Sequence, residues 1–86
     1  MAVRDVLRDW LVEALESLGG SGSVLEVSQE VWRLHQREIE SAGDLLYTWQ
    51  YDLRWAATVL RKTGVLADNS RGEPWTLARA GRARVE

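Results

Sequence analysis

The chain has 86 residues, no cysteine and a formal net charge of −2. That length fits one domain with a modest core; a 45% hydrophobic content with five tryptophans argues against disorder, and the lack of Cys removes disulfides and thiolate metal sites. No apolar run approaches the roughly 18–20 residues that span a bilayer, and Arg4, Asp5, Arg8 and Asp9 stand where a signal peptide would place a basic start and an apolar run, so the expected location is cytoplasmic, with no membrane partner.

In chain order, Val3, Val6, Leu7, Trp10, Leu11, Ala14, Leu15 and Leu18 recur at spacings of three and four. This is one stripe on a 3.6-period helix, which predicts helix 1 over about 3–18. Gly19-Gly20-Ser21-Gly22 stops it. Ser23 with Glu26 three residues on reads as a capping box. Val24, Val27, Val31, Leu34 and His35 then follow one face, giving helix 2 over about 24–38; Ser23 and Val24 are also suited to a very short strand ahead of it. Ser41 to Asp44 reads as a loop. Leu45 to Tyr47 either begins a helix or packs as an apolar connection. After Thr48, a suitable N-cap, Tyr51, Trp55, Ala56, Val59 and Leu60 share a face and predict helix 3 over about 49–63. Gly64 closes it, with Arg61 and Lys62 in the last turn where the helix dipole favours cations.

Val65-Leu66-Ala67 and Trp75-Thr76-Leu77 are short and β-compatible, and the turn-forming residues 68–74 separate them. The pair predicts a hairpin over about 65–77, followed by a small, basic tail, 78–86, that is a last helical turn or frayed. Three helices followed by a two-stranded hairpin form a winged helix: an α+β fold, mostly α, in a single domain over 1–86. In it the second and third helices make a helix-turn-helix and the hairpin is the wing.

Charge is distributed unevenly along this order. Residues 1–50 hold four Arg against nine Asp/Glu, a net of −5; residues 51–86 hold seven Arg/Lys against four Asp/Glu, a net of +3. A basic half beside an acidic one focuses a local field that the total conceals. Ten of the eleven basic residues are Arg, which suits bidentate phosphate contact and is equally what a GC-rich genome encodes.

The second half also carries a resemblance. Trp55-Ala56, Leu60-Arg61-Lys62-Thr63-Gly64-Val65-Leu66, Arg71-Gly72, Trp75-Thr76-Leu77 and Gly81-Arg82 resemble the N-terminal winged-helix domain of Mrr-type restriction endonucleases. The likeness covers about residues 50–82, and helices 1 and 2 match only in layout. The chain departs from the family run at Thr63, usually Ala; at Ala78, usually Thr; and at Glu73-Pro74, which lengthen the wing. The resemblance implies a DNA-binding module of a bacterial restriction system, to which a separate nuclease domain is fused. Fold alone gives no function.

With Tyr51, Trp55, Ala56, Val59 and Leu60 turned inward, the opposite face of helix 3 presents Gln50, Arg54, Ala57, Thr58, Arg61 and Lys62. Arg reads guanine edges in the major groove, Gln reads adenine, Thr and Ala methyls touch thymine, and Lys meets phosphate. In the wing, Asn69, Ser70 and Arg71 are placed to reach phosphates or the minor groove. Arg79, Arg82 and Arg84 add a basic edge or belong to a frayed linker. Trp10, Trp55 and Trp75 are expected in the core. Trp32 lies at the core margin or outside it and Trp49 precedes helix 3; either, if exposed, is an interface anchor.

No constellation supports catalysis. His35 is the single histidine and is read as a packing or surface residue, while Glu38, Glu40 and Asp44 are read as a solvated edge. No cofactor, metal or small-molecule ligand is expected. The expected partner is double-stranded DNA, with a homodimer as a further option because helix-turn-helix proteins read paired half-sites. The rival reading is a protein-interaction or dimerisation winged helix, which the pI of 5.4 favours.

Overall fold

A computed structural model describes residues 6–67 and 74–78. Its elements are α1 (Val6–Ser17), β1 (Ser21–Gly22), α2 (Val24–Glu40), α3 (Leu45–Lys62) and β2 (Trp75–Thr76). This is the mostly helical α+β arrangement expected, with a winged-helix-like layout.

In α1 the apolar stripe turns Leu7, Trp10, Leu11, Ala14 and Leu15 into the core. The helix closes one residue before the expected end. Leu18 therefore sits in the following turn, partly exposed, and the Gly20 amide donates back to the Leu15 carbonyl at 2.7 Å. Expected residues 3–5 of this helix lie outside the described residues.

The strand ahead of α2 is Ser21–Gly22, not Ser23–Val24. Ser23 caps the helix: its hydroxyl accepts from the Glu26 amide at 3.0 Å, and the Glu26 carboxylate accepts from the Ser23 amide at 2.9 Å. A residue committed to this reciprocal cap satisfies two of the amides that a helix start leaves unpaired. At Gly22 the strand passes close to its neighbours: a Cβ there would lie 2.9 Å from the end of the Leu18 side chain, which would have to shift, and 3.3 Å from that of Val27.

Helix α2 runs two residues past the expected end, to Glu40, and is kinked at His35 (φ −131°, ψ 24°). The His35 ring stacks on Trp10 with centroids 4.1 Å apart and planes 10° apart. Its nitrogens lie 2.7 Å from Glu13 and 3.3 Å from Glu38. His35 is thus a packing residue that ties the kink to α1. Beyond the kink the helix still buries Ile39.

Helix α3 differs most from expectation. It starts at Leu45, four residues early, after a tight turn in which the Leu46 and Tyr47 amides donate to the Gly43 and Asp44 carbonyls. Thr48 is not its N-cap; that hydroxyl donates to the Asp52 carboxylate at 3.0 Å, one turn on. The inward face is Leu45, Trp49, Asp52, Leu53, Ala56, Ala57 and Leu60. Tyr51, expected in the core, is 73% exposed. Ala57, expected outside, is buried, and so is Trp49. Trp55 and Val59 are half-buried at the margin.

The expected hairpin arms pair through an antiparallel bridge, Leu66 with Leu77, supported by the Ala67 amide to the Thr76 carbonyl at 2.9 Å and the Ala78 amide to the Val65 carbonyl at 2.8 Å. On its other side Trp75–Thr76 pairs antiparallel with β1, Gly22 opposite Trp75 and Ser21 opposite Thr76. The Trp75–Leu77 segment therefore lies between the strand preceding α2 and the residues following α3. One core joins α1, α2 and α3 to these segments, centred on Leu7, Leu11, Leu15, Val27, Val31, Leu53 and Leu66. No helix among the described residues is long and apolar enough to cross a membrane.

Candidate nucleic-acid interface

The outward face of α3 follows from the inward one. Leu45, Trp49, Leu53, Ala56 and Leu60 are spaced by four, four, three and four residues, which fixes the helix against α1 and α2. The opposite side carries Tyr47, Gln50, Tyr51, Arg54, Thr58 and Lys62, all exposed, with Arg61 half-exposed beside them. Five of the expected site residues, Gln50, Arg54, Thr58, Arg61 and Lys62, thus share one face. Ala57 does not join them. Asn69, Ser70 and Arg71 lie outside the described residues, as do Arg79, Arg82 and Arg84.

This face is held by contacts within the helix. The Thr58 hydroxyl donates to the Arg54 carbonyl at 3.2 Å, and the Arg61 guanidinium lies 3.5 Å from the Thr58 hydroxyl. The single acid of α3, Asp52, is buried. Among the described residues no carboxylate forms an ion pair with Arg54, Arg61 or Lys62. Gln50 and Arg54 also border a recess between α2 and α3.

Several of the described acids have partners on α1 and α2. Glu30 on α2 accepts from Arg33 at 2.6 Å and from the Ser17 hydroxyl, and these bonds, Arg33 first, hold its carboxyl down at about 2. Glu38 is lowered by its own backbone amide and then by His35. Gln36 binds Glu40 at 3.1 Å. Among the described residues no group of three or more His, Asp or Glu side chains is arranged to hold a metal ion.

The sequence reading missed Tyr47, Tyr51 and Leu25, which are exposed at 84%, 73% and 66%. The spacing 47, 51, 54, 58, 62 marks the outward ridge, but it becomes visible only once α3 is begun at Leu45.

Together these features define a small helical domain of winged-helix-like layout whose third helix presents a cationic, acid-free outer face. Neither a protein-family model, nor a curated protein, nor a solved structure matches the chain.

Proposed function

We propose that this domain binds double-stranded DNA without catalysis, with α3 in the major groove, as a targeting module of a restriction or regulatory system. The observation that carries this reading is the co-facial placement of Gln50, Arg54, Thr58, Arg61 and Lys62 on a helix whose one acid is turned inward. In this reading Gln50 and Arg54, in the middle of the helix, contact base edges, and Arg61 and Lys62, near its end, meet phosphate. Asn69, Ser70 and Arg71, which lie outside the described residues, are the further proposed contacts to the DNA backbone. The likeness of residues 50–82 to the Mrr-type N-terminal domain supports the same assignment.

A mobility-shift titration of a mixed-sequence duplex tests it at about 50 and 200 mM salt, where phosphate-dominated binding weakens steeply. The Arg54→Ala/Arg61→Ala variant is expected to bind at least about tenfold more weakly, since each lost contact of this kind costs about 1–3 kcal/mol. No binding of the parent chain at the lower salt, or equal binding by the variant, refutes the assignment.

A further inference from the structure

A recess of about 660 Å³ opens along the seam between α2 and α3. Its α2 wall includes Leu25, Gln29 and Trp32; its α3 wall includes Leu46, Trp49 and Arg54. Trp32 stacks on Trp49 with centroids 5.8 Å apart, which forms a firm aromatic floor. Arg54 is the one charged residue of the lining among the described residues.

Duplex recognition does not account for this feature. A helix enters the major groove with a convex ridge, and a concave seam beside that ridge stays unfilled. Nor does the fold require Leu25 to be apolar. It is the second residue of α2, where an acidic or small polar residue suits the helix start, and yet it leaves two-thirds of a leucine in water. Tyr47 and Tyr51 stand exposed on the neighbouring turns of α3. Trp, Tyr and Arg beside an apolar pocket is the composition that carries binding energy at protein interfaces, where Lys and Glu are depleted.

We propose that this recess docks an amphipathic helix of a partner protein, one that inserts a bulky apolar side chain and carries carboxylates along one flank. The seam between two helices gives a trough suited to an occupant with anchors at i, i+3 or i+4, and i+7. Charge complementarity sets the flank. Arg54 borders the recess and Arg61 follows it seven residues on, about 10 Å further along the helix axis, with no exposed acid on α3 between them. Acidic residues two turns apart on the partner helix meet this pair. The inference does not rest on DNA binding. If both hold, Gln50 and Arg54 serve both occupants, and the peptide and the duplex exclude each other.

The test is a displayed library of helical peptides selected on the intact chain, with counter-selection on Leu25→Ser. Leu25 and Arg54 are exposed, so Leu25→Ser and Arg54→Glu should keep the parent thermal midpoint, which is measured first. The expected winners carry aromatic or leucine anchors at helical spacing with Asp or Glu on one flank. They should bind both variants at least about tenfold more weakly, as for a residue central to an interface. Replacing the peptide's acidic flank by lysine should restore binding to Arg54→Glu, which a merely structural role for Arg54 would not produce. Leu25→Ser should leave duplex affinity unchanged. The proposal is overturned if no peptide prefers the parent over Leu25→Ser, if the winners are neutral or basic, or if sedimentation shows the recess filled by a second copy of the chain.

Discussion

The rotational setting of α3 decides which side chains face solvent, and one pair of substitutions tests it directly. Positions 51 and 53 are about 200° apart around a helix axis, so they cannot share a face. Leu53 is fully buried, whereas Tyr51 is mostly exposed. Removing three methyl-sized groups from a closed site costs about 2.7–5 kcal/mol for Leu→Ala. A domain of this size is stable by about 4–13 kcal/mol at the usual per-residue value, so Leu53→Ala removes a large share. At about 4–8 °C per kcal/mol, even the low end lowers the melting midpoint by roughly 11 °C. Tyr51→Ala loses little packing and gains a few tenths of a kcal/mol of helix propensity, so its midpoint should stay within about 4 °C of the parent. Thermal and urea unfolding followed by tryptophan fluorescence report both. A larger loss from Tyr51→Ala than from Leu53→Ala would rotate the helix, turn Arg54 and Thr58 away from solvent and end the reasoning for the α3 face.

Three further outcomes are expected. Ser23→Ala removes the hydroxyl that accepts from the Glu26 amide and should cost about 1 kcal/mol in urea unfolding, while Ser23→Asn should recover most of it. Gly64 has φ +86° with open space around its missing Cβ; Gly64→Ala should therefore destabilise by about 1 kcal/mol through backbone strain alone, and a stabilised variant would contradict the left-handed turn. Glu30 has its carboxyl lowered from 4.5 to about 2 by Arg33 and then Ser17. A depressed folded-state value means that the stabilisation is complete above about 4.5 and is lost as pH falls towards about 2. Glu30→Gln should flatten that part of the acid stability profile, and an unchanged profile would remove Glu30 from the account.

The helical order, the capping box and the pairing of the 65–67 and 75–77 segments were legible because each rests on a local rule. Apolar spacing, a Ser with Glu three residues on, and turn residues between β-compatible triplets act over short distances. The setting of α3 was less so. Tyr51, Trp55 and Val59 offer one apolar series, while Leu45, Trp49, Leu53, Ala56 and Leu60 offer another, and both fit a 3.6-residue period. What selects the second is tertiary: Leu45 and Trp49 are covered by the other helices, and Asp52 goes inward with Thr48 as a partner. Reading Thr48 as a cap hid the first turn that would have settled the frame. β1 was hidden for a related reason, since Ser21 and Gly22 read as a helix stop, and their strand role depends on Trp75 and Thr76 more than fifty residues away. The recess has no sequence signature, because it is a space between two helices.

A net charge of −2 carries little weight against a positive surface in a molecule built this way. Asp9, Glu13 and Glu16 are exposed on α1, a different helix from the one that carries Arg54 and Lys62. Exposed charges are screened over about 8 Å at physiological salt, so a carboxylate weakens the field at α3 only from close by. The acid of α3 itself, Asp52, is buried. Salt then separates the two occupants argued for this region. A duplex held by phosphate contacts through Arg61 and Lys62 loses affinity with a log–log slope of about −0.9 for each. A helix anchored by an apolar side chain over Trp32 and Trp49 keeps most of its binding, because burial of apolar surface does not depend on ionic screening. Competition between labelled duplex and peptide should accordingly shift towards the peptide as salt rises, and a shift towards the duplex would mean that the recess and the cationic ridge have been assigned the wrong way round.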